Sequence, residues 1–363
     1  MGKSIVVSAI NIVDGGALTV LQDAIISFDA AAGSSDKVTF LVASPEIHKK
    51  IKTRSITFEY FPSSKKSWIL RFFFEYVYFF FYSLKRKPDT WLSLHDTTPS
   101  VFAKERHVYC HNPSIFLDFP LRDILLDKKQ FAFSLLYKYL YKINIRKNTS
   151  VITQQAWMAD AFSKIFKIDN LIVAEPDTAE NTSNYASLIE PAEKKNGFNL
   201  FYPAYPRYFK NHAVIFEASN KVENVNFWLT LDGSENKYSS ALIKKYPTKN
   251  IEPMGIIPRE KVFELYQNCD ALVFPSLLET WGLPLTEFKK FNKPIIAADL
   301  PYAHETLGNY EKIYWFLPHS SDSLLQAINR AKSNSPADPP KPVTCTFQKL
   351  IGWKNLASHL LGR

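Results

Sequence analysis

Two glutamates eight positions apart, Glu279 and Glu287, follow an apolar run that predicts a buried strand, Ala271–Phe274. Pro284 suits the first turn of a helix, so Glu279 is predicted in a loop and Glu287 in the first helical turn. A helix start offers free N–H groups and a positive dipole end that can hold a diphosphate, and Gly282 allows a close backbone approach. Nearby carboxylates could accept hydrogen bonds from sugar and ribose hydroxyls. The alternative is that these acidic residues only stabilise a helix N-terminus.

Two cations and two glycines also stand where predicted strands end. Arg207 and Lys210 follow the apolar run Phe198–Tyr202, and positive charge there could stabilise the charge that develops on a leaving diphosphate. A lone surface lysine is more often simply solvated. Gly15 and Gly16 follow the first apolar run, so their backbone could lie against a phosphate. The glycines do not form Gly-x-Gly-x-x-Gly, which disfavours a nicotinamide dinucleotide.

Three polar residues end predicted strands in the first half of the chain. His111 ends a predicted strand and precedes Pro113 by two positions, which favours a place at a cleft, although a strand-end histidine is more often structural. Asp96 and Gln154 also end predicted strands near the same cleft, and either could orient an acceptor. No Asp-x-Asp occurs and no His and carboxylate cluster has the spacing of metal ligands, so metal-independent chemistry is expected.

Two series of apolar runs alternate with helical patterns, which is typical of parallel α/β architecture. The predicted strands are 5–12, 38–43, 56–61, 91–94, 107–111, 150–153, and then 198–202, 225–231, 271–274, 293–298 and 312–316. The polar stretch 175–197 between the series predicts a linker. We therefore expect Rossmann-like domains over 1–180 and 197–345, with ligands at the carboxyl ends of their strands in a shared cleft.

The chain carries 44 Lys and Arg against 35 Asp and Glu, a formal net charge of +9. This balance favours an anionic partner such as a nucleotide diphosphate or an anionic membrane. Nucleic acid is not expected, since the basic residues are spread out and no nucleic-acid motif occurs. Three cysteines without framework or zinc spacing, and an N-terminus that predicts a strand in place of a signal peptide, indicate a cytoplasmic protein.

The apolar stretch Ser67–Leu84 is interrupted by Arg71 and Glu75 and has only marginal length for a bilayer span. Arg71 and Glu75 stand four positions apart, on one face of a predicted helix, and the basic residues 85–87 follow its C-terminal end. The first interpretation is a buried helix. A helix that touches the membrane is the alternative.

The segment Pro275–Glu287 reads Pro-Ser-Leu-Leu-Glu-Thr-Trp-Gly-Leu-Pro-Leu-Thr-Glu. It resembles the Glu-x7-Glu motif of family 4 of the retaining glycosyltransferases, with the aromatic residue one place late because Thr280 precedes Trp281. The resemblance extends in order over nearly the whole chain and is most specific in this block. It implies the GT-B fold, in which two Rossmann-like doubly wound domains face a cleft and a final helix, residues 346–363 here, crosses back to the N-terminal domain.

The resemblance also implies roles for individual residues. Glu279 would contact the donor sugar, Glu287 would hold the ribose hydroxyls, and His111 would line the cleft against the donor sugar. Lys210 and Arg207 would form the basic phosphate grip, although the family often spaces these two cations further apart. The remaining donor contacts would be the backbone of Gly15, Gly16, Met254, Gly255, Ile256, Thr280, Trp281, Gly282 and Leu283.

The implied function is a retaining, metal-independent glycosyltransferase without a cofactor. It would move a hexosyl unit from a UDP- or GDP-linked sugar to a lipid-linked or surface-polysaccharide acceptor, such as an O-antigen or capsule. Bacterial members often extend lipid-linked glycans, so the basic, aromatic-rich N-terminal domain is expected to associate with the inner face of the cytoplasmic membrane. The alternatives are a non-catalytic sugar-nucleotide-binding subunit of a polysaccharide assembly complex, and an epimerase that converts the donor without an acceptor.

Overall fold

The computed structural model describes residues 2–119, 124, 127–177, 196–247 and 249–363. The chain divides into a first domain of residues 1–112, 137–177 and 345–363, and a second domain of residues 113–136 and 178–344. Most of the predicted linker 175–197 lies outside the described residues.

The first domain is built on a parallel sheet with the strand order β14-β7-β6-β5-β4-β1-β2-β3. Its strands are β1 Ser4–Ala9, β2 Lys37–Val42, β3 Ile56–Tyr60, β4 Thr90–Ser93, β5 Glu105–Cys110, β6 Ser150–Thr153, β7 Leu171–Glu175 and β14 Gln348–Ile351. The central strands are buried along most of their length, as parallel strands covered on both faces must be. The order reverses direction between β1 and β4.

Helices connect these strands in the alternating manner of a doubly wound domain. They are α1 Gly15–Ala31, α2 Trp68–Phe73, α3 Phe79–Arg86, α4 Lys128–Lys142, α5 Ala156–Phe166 and α12 Gly352–Leu360, with a π-helical segment Phe74–Tyr78 joining α2 to α3. The amino-terminal part of α4 belongs to the second domain.

The end of the chain returns to the first domain, as the fold prediction expects. Helix α12 buries Trp353, Leu356 and Leu360 in the same core as α1 and β1, and the Trp353 ring lies 4.9 Å from that of Tyr109. The predicted helix 346–363 is wrong at its start, since 348–351 form β14. This segment pairs with β7 and forms the edge of the sheet, and Gly352, with φ of 78°, turns the chain into α12.

The second domain has the parallel strand order β10-β9-β8-β11-β12-β13. Its strands are β8 Phe198–Tyr202, β9 Val225–Leu229, β10 Ile251–Pro253, β11 Ala271–Phe274, β12 Ile295–Ala298 and β13 Ile313–Phe316. Its helices are α6 His212–Ser219, α7 Lys237–Lys245, α8 Arg259–Asn268, α9 Leu283–Lys289, α10 Pro301–Leu307 and α11 Ser321–Lys332. The order reverses between β8 and β11, the place where doubly wound sheets bind ligands.

The segment 113–136, which the sequence-based boundaries include in the N-terminal domain, groups with the second domain. Side-chain contacts explain this grouping. The ring of Phe119 lies 4.3 Å from that of Tyr208, and Asp127 Oδ2 lies 3.6 Å from Arg207 Nη1.

The helical segment 68–86 does not have the buried aromatic face that the first interpretation of the sequence expects. Arg71 and Glu75 are buried, whereas most of the aromatic side chains are exposed. Within the described part of the chain, no helix is long and apolar enough to cross a membrane.

Candidate functional site

The loops that follow β8 and β11 bring together two predicted site residues that are 69 positions apart. Lys210 Nζ lies 2.5 Å from Glu279 Oε1. Both side chains keep limited access to solvent, with 19% and 13% exposure. The ion pair therefore stands at the carboxyl ends of the two strands that flank the reversal of strand order.

Hydrogen bonds hold this ion pair in place. Ser276 Oγ donates to Glu279 Oε1 over 2.7 Å. The hydroxyl of Tyr202 lies 2.8 Å from Ser276 Oγ and 3.0 Å from the backbone carbonyl of Lys210. Burial raises the pKa of Tyr202 well above its ordinary value, so this phenol stays neutral. The sequence analysis did not identify Tyr202 or Ser276, which contact each other across 74 positions of sequence.

Asn211 joins the loop of Lys210 to two other loops. Its backbone is left-handed, with φ of 55°, which asparagine tolerates better than most residues. Its Nδ2 donates to the carbonyls of Pro275, over 3.2 Å, and Pro318, over 2.7 Å. Because these loops follow β8, β11 and β13, one side chain fixes the spacing of three strand ends.

Glu287 lies in the first turns of α9 and is buried, with 8% exposure. Arg259 Nη2 donates to its Oε1 over 2.5 Å, and the Tyr266 hydroxyl donates to its Oε2 over 3.1 Å. Burial raises the pKa of Glu287, and the positive charge of Arg259 opposes that shift. Arg259 and Tyr266, both from α8, are site residues that the sequence analysis missed.

Arg207 has a different partner from Lys210. Its Nη1 lies 3.6 Å from Asp127 Oδ2, and its guanidinium carbon lies 5.5 Å from the centre of the Tyr205 ring. The side chain remains 40% exposed. The two cations of the predicted grip are thus three positions apart in sequence and engaged by different carboxylates.

The predicted backbone contacts lie on two loops of the same domain. Gly282 has φ of 82° and precedes α9, while Trp281 Nε1 donates to Thr286 Oγ1 over 2.9 Å. Thr280 is half-buried and Leu283 is 41% exposed.

The second of these loops, 254–256, follows β10. Gly255 has φ of 63°, a left-handed conformation that favours glycine. Met254 is half-buried and its N–H donates to the carbonyl of Leu229 over 2.9 Å. Ile256 is 73% exposed.

In the first domain, Gly15 and Gly16 open α1 after the carboxyl end of β1. Gly15 has φ of 66°, a conformation that favours glycine, and the space around both Cα atoms is open. The N-cap residue Asp14 makes no side-chain capping hydrogen bond. The amino end of this long helix is therefore exposed at the reversal between β1 and β4.

His111 follows β5, and its loop is held by Asp96. Asp96 Oδ1 accepts the N–H groups of His111, over 2.7 Å, and Asn112, over 3.0 Å. The hydroxyls of Tyr141 and Tyr137 donate to its two oxygens over 3.0 and 3.1 Å. The His111 side chain is 18% exposed, and its Nδ1 lies 3.7 Å from Asp96 Oδ1.

The two residues predicted to orient an acceptor are both buried. Asp96 is 5% exposed and has a left-handed backbone with φ of 70°, so the structure makes it the support of the His111 loop. Gln154 is 6% exposed and its side chain hydrogen-bonds to the buried Tyr109. Both side chains are thus engaged in hydrogen bonds inside the first domain.

A search of the described residues for three or more His, Cys, Asp or Glu side chains arranged to hold a metal ion finds no such group. The polar groups at the site are instead ion pairs and hydrogen-bonded phenols and hydroxyls.

Residues 188–342, which contain the Lys210–Glu279 pair and Glu287, match the model of the family glycosyl transferases group 1. The match covers less than half of the chain and shows that this part is similar to group 1 glycosyl transferases. The O-antigen chain mannosyltransferase RfbU of Salmonella typhimurium is 26% identical over 178 residues, which are 48% of this chain and 48% of that protein. The aligned stretch thus spans about half the length of this curated relative.

Solved structures resemble the chain over its whole length. Sucrose-phosphate synthase from Thermosynechococcus elongatus has a TM-score of 0.64 at 14% identity, covering 99% of this chain and 93% of that one. The lipopolysaccharide outer core galactosyltransferase WaaB has a TM-score of 0.57 at 15% identity, covering 100% and 95%. The Anabaena protein HepE in complex with UDP and glucose has a TM-score of 0.56 at 13% identity, covering 99% and 94%. These likenesses show the fold alone, which is the GT-B fold with two Rossmann-like parallel-sheet domains.

Proposed function

We propose that this chain is a retaining glycosyltransferase that moves a hexosyl unit from a nucleotide-diphosphate sugar to a lipid-linked or surface-polysaccharide acceptor. The observation that carries the proposal is the Lys210–Glu279 ion pair at the strand reversal of the group 1 domain. An ammonium group there suits a diphosphate, and a carboxylate there suits sugar hydroxyls.

The charge balance of the pair explains how a donor would bind. Without a ligand, Glu279 neutralises Lys210 over 2.5 Å. A diphosphate would provide stronger anionic partners for Lys210, and Glu279 could then accept hydrogen bonds from the hexose hydroxyls. As the bond to the diphosphate breaks, negative charge grows on the leaving oxygen, and a pre-positioned cation stabilises that charge.

Further donor contacts follow from the resemblance to family 4. Glu287 would bind the ribose hydroxyls, since its buried carboxylate has acceptor sites beyond its bonds to Arg259 and Tyr266. The backbone of residues 280–283 would bind the diphosphate, and that of residues 254–256 would read the base. Arg207 would assist Lys210 if its contact with Asp127, at 3.6 Å, is released.

In the first domain, the exposed backbone of Gly15 and Gly16 would contact the donor phosphates or the acceptor. His111 would hydrogen-bond a hydroxyl of the donor sugar through its imidazole. Asp96 would affect this contact indirectly, by holding the loop of His111. We also propose that Gln154 influences the acceptor side from its buried position.

The class of substrate is supported by the relatives. RfbU is named an O-antigen chain mannosyltransferase, WaaB a lipopolysaccharide outer core galactosyltransferase, and HepE binds UDP and glucose. A UDP- or GDP-linked hexose as donor, a lipid-linked glycan as acceptor and a place in the cytoplasm at the inner face of the membrane agree with these names.

In the proposed reaction, an acceptor hydroxyl oxygen bonds to the anomeric carbon on the face from which the diphosphate departs. The bond between that carbon and the diphosphate oxygen breaks, and the acceptor proton passes to the diphosphate. Lys210 would supply the positive charge that a metal ion supplies in other transferases. The reaction is therefore proposed to need no metal.

Donor binding is tested by calorimetric titration of UDP, GDP and their hexose conjugates in the presence of EDTA. We compare the wild type with Lys210→Met and with the control Lys221→Met, whose lysine stands between α6 and the amino end of β9 and pairs with Asp322 on the surface. Loss of one charge-assisted bond of about 1.5–3 kcal/mol predicts roughly 10- to 150-fold weaker binding in Lys210→Met only. Failure of every nucleotide to bind the wild type would refute the proposal.

Stereochemistry and turnover are tested with a polyprenyl-diphosphate-linked glycan as acceptor. Proton NMR of the product reports the anomeric configuration, and retention is expected. An inverted product refutes the retaining mechanism but not the transfer. Donor binding without release of nucleotide diphosphate would indicate a binding subunit, and conversion of the donor sugar without acceptor would indicate an epimerase.

A further inference from the structure

The helical segment 68–86 has the reverse of the usual polarity of a surface helix. Its buried positions follow a spacing of four residues and are Arg71, Glu75, Phe79 and Ser83. Its exposed large apolar side chains are Trp68, Ile69, Phe72, Phe73, Val77, Tyr78, Phe80, Phe81 and Leu84. We call these nine side chains the aromatic face. In an ordinary amphipathic helix, the apolar stripe packs on the core and the charged residues point to water.

Contacts of the buried charges fix this orientation. Arg71 Nε lies 2.6 Å from Glu75 Oε1, and Arg71 Nη2 donates to the carbonyl of His95 over 3.1 Å. Thr97 Oγ1 donates to Glu75 Oε2 over 2.6 Å. Rotation of the helix by 180° about its axis would expose Arg71 and Glu75 and bury the aromatic face. It would also break the bonds of Arg71 to His95 and of Thr97 to Glu75. The buried bonds of Arg71 and Glu75, on the opposite side of the helix, therefore keep the aromatic face exposed.

Large apolar patches on soluble proteins mark surfaces that bind something. Here the exposure is high, with Ile69 at 81% and Phe81 at 64%. Cations flank the patch at both ends: Lys65 and Lys66 precede it, and Lys85, Arg86 and Lys87 follow it, all exposed. Within the segment the one acidic residue, Glu75, is buried; of the flanking cations, Arg86 pairs with Glu59 and Lys65 lies 3.9 Å from Asp14. This arrangement complements an anionic lipid surface. Apolar and aromatic side chains suit the boundary between acyl chains and head groups, and the flanking cations suit the negatively charged head groups.

We propose that the aromatic face docks on an anionic bilayer, with the helical segment lying in the plane of the interface. The helix does not span the bilayer, since Arg71 and Glu75 stay bound inside the domain. The aromatic face enters the boundary between head groups and acyl chains, and the flanking cations contact the anionic head groups. This docking goes beyond the proposed transfer reaction and is measured without a sugar nucleotide.

The test is co-sedimentation of the full chain with phosphatidylglycerol-containing vesicles, with pure phosphatidylcholine vesicles and without vesicles. The perturbing variant carries Ile69→Ser, Phe73→Ser and Phe81→Ser together. The matched control carries Ile351→Ser and Leu317→Ser, which remove exposed apolar side chains of 56% and 62% exposure elsewhere. Thermal melting of all three proteins establishes that each is folded, which is expected because the substituted side chains make few internal contacts.

The wild type and the control should bind the anionic vesicles, and the triple variant should bind at least roughly tenfold more weakly. Added salt should weaken binding of the wild type, because the flanking cations act through screened charge. Brominated lipids should quench tryptophan fluorescence less in Trp68→Phe than in the wild type. Unchanged binding of the triple variant, or no binding of the wild type, overturns the proposal.

A second copy of the chain is the other occupant that the test can reveal. Sedimentation velocity without vesicles reports it. A dimer that the triple variant abolishes, together with no vesicle binding, would assign the aromatic face to self-association and overturn the membrane proposal. Donor binding is unaffected by either result, so failure here is distinguishable from failure of the proposed function.

Discussion

Asp96→Ala tests whether the buried carboxylate of Asp96 positions the loop of His111. The substitution removes the acceptor for the N–H groups of His111 and Asn112, at 2.7 and 3.0 Å. The hydroxyl of Tyr141 keeps a partner, because it also lies 2.9 Å from the carbonyl of Asn112. Unsatisfied buried N–H groups cost about 1–3 kcal/mol each, and these two are only partly buried, so a total loss of about 2–3 kcal/mol is expected.

Asp96→Asn provides the conservative comparison. Its Oδ1 can still accept both N–H groups, and asparagine tolerates the left-handed backbone at φ of 70°. Loss of the charge weakens the bonds without removing them, so a cost of about 1 kcal/mol is expected. Urea unfolding of the first domain measures both free energies.

Measurement of kcat shows whether Asp96 positions His111 or only stabilises the fold. Displacement of His111 should lower kcat per folded molecule roughly tenfold or more in Asp96→Ala, with partial recovery in Asp96→Asn. The control is Asp36→Ala, which removes the acceptor for the N–H groups of Lys3 and Gly33, both at 2.8 Å, at the amino end of β2. This control should lose stability but keep kcat. An unchanged kcat in Asp96→Ala, or wild-type stability, would refute the reasoning.

Three further predictions concern buried ionisable groups. Glu287→Gln should weaken binding of the nucleotide diphosphate in calorimetry. Burial raises the pKa of Glu287, so ionisation of this carboxyl costs the wild type stability as pH rises above about 4.5, and the neutral variant should become more stable relative to it. Equal nucleotide affinity would contradict the proposed ribose contact. Burial lowers the pKa of His95 and His107 to about 4 and of His212 to about 3, so folding stability should be full above pH 6.5 and fall as acid protonates the unfolded chain. His212→Phe should reduce the difference between melting temperatures at pH 7 and pH 5, and an unchanged difference would argue against a neutral buried ring. Burial raises the pKa of Asp23 to about 6, so Asp23→Asn should match the wild type near pH 4 and melt at higher temperature above pH 6, which a pH series of thermal melts checks; a constant difference across that range would contradict it.

The predicted fold class is confirmed, and several strands were predictable to the residue. The runs 150–153, 198–202 and 271–274 have the same bounds in the structure, because buried parallel strands are nearly continuous apolar runs. The strands β7, β10 and β14 were not predicted. The strands β10 and β14 are short edge strands whose extended state depends on pairing with β9 and β7, and local sequence carries little of that information. The apolar run of β7 was missed although it is a buried strand within the sheet.

The candidate site was predictable in its parts but not in its contacts. Lys210 and Glu279 were each identified near a strand end, and the sheet order then brought them within 2.5 Å. Arg207 lies beside Asp127, and Asp96 accepts hydrogen bonds from residues of its own domain. The orientation of each charged side chain depends on partners that only the tertiary structure brings near. Arg259, the partner of Glu287, carried no local signal in the sequence.

In the segment 68–86, the sequence and the tertiary structure determine different properties. The sequence by itself determined that this segment is helical, rich in aromatic residues and flanked by cations, since these are properties of composition and periodicity. Only the tertiary structure decided which face points outward. The bonds of Arg71 and Glu75 to His95 and Thr97 are made by residues more than twenty positions away, and they hold the polar side of the helix inside the domain.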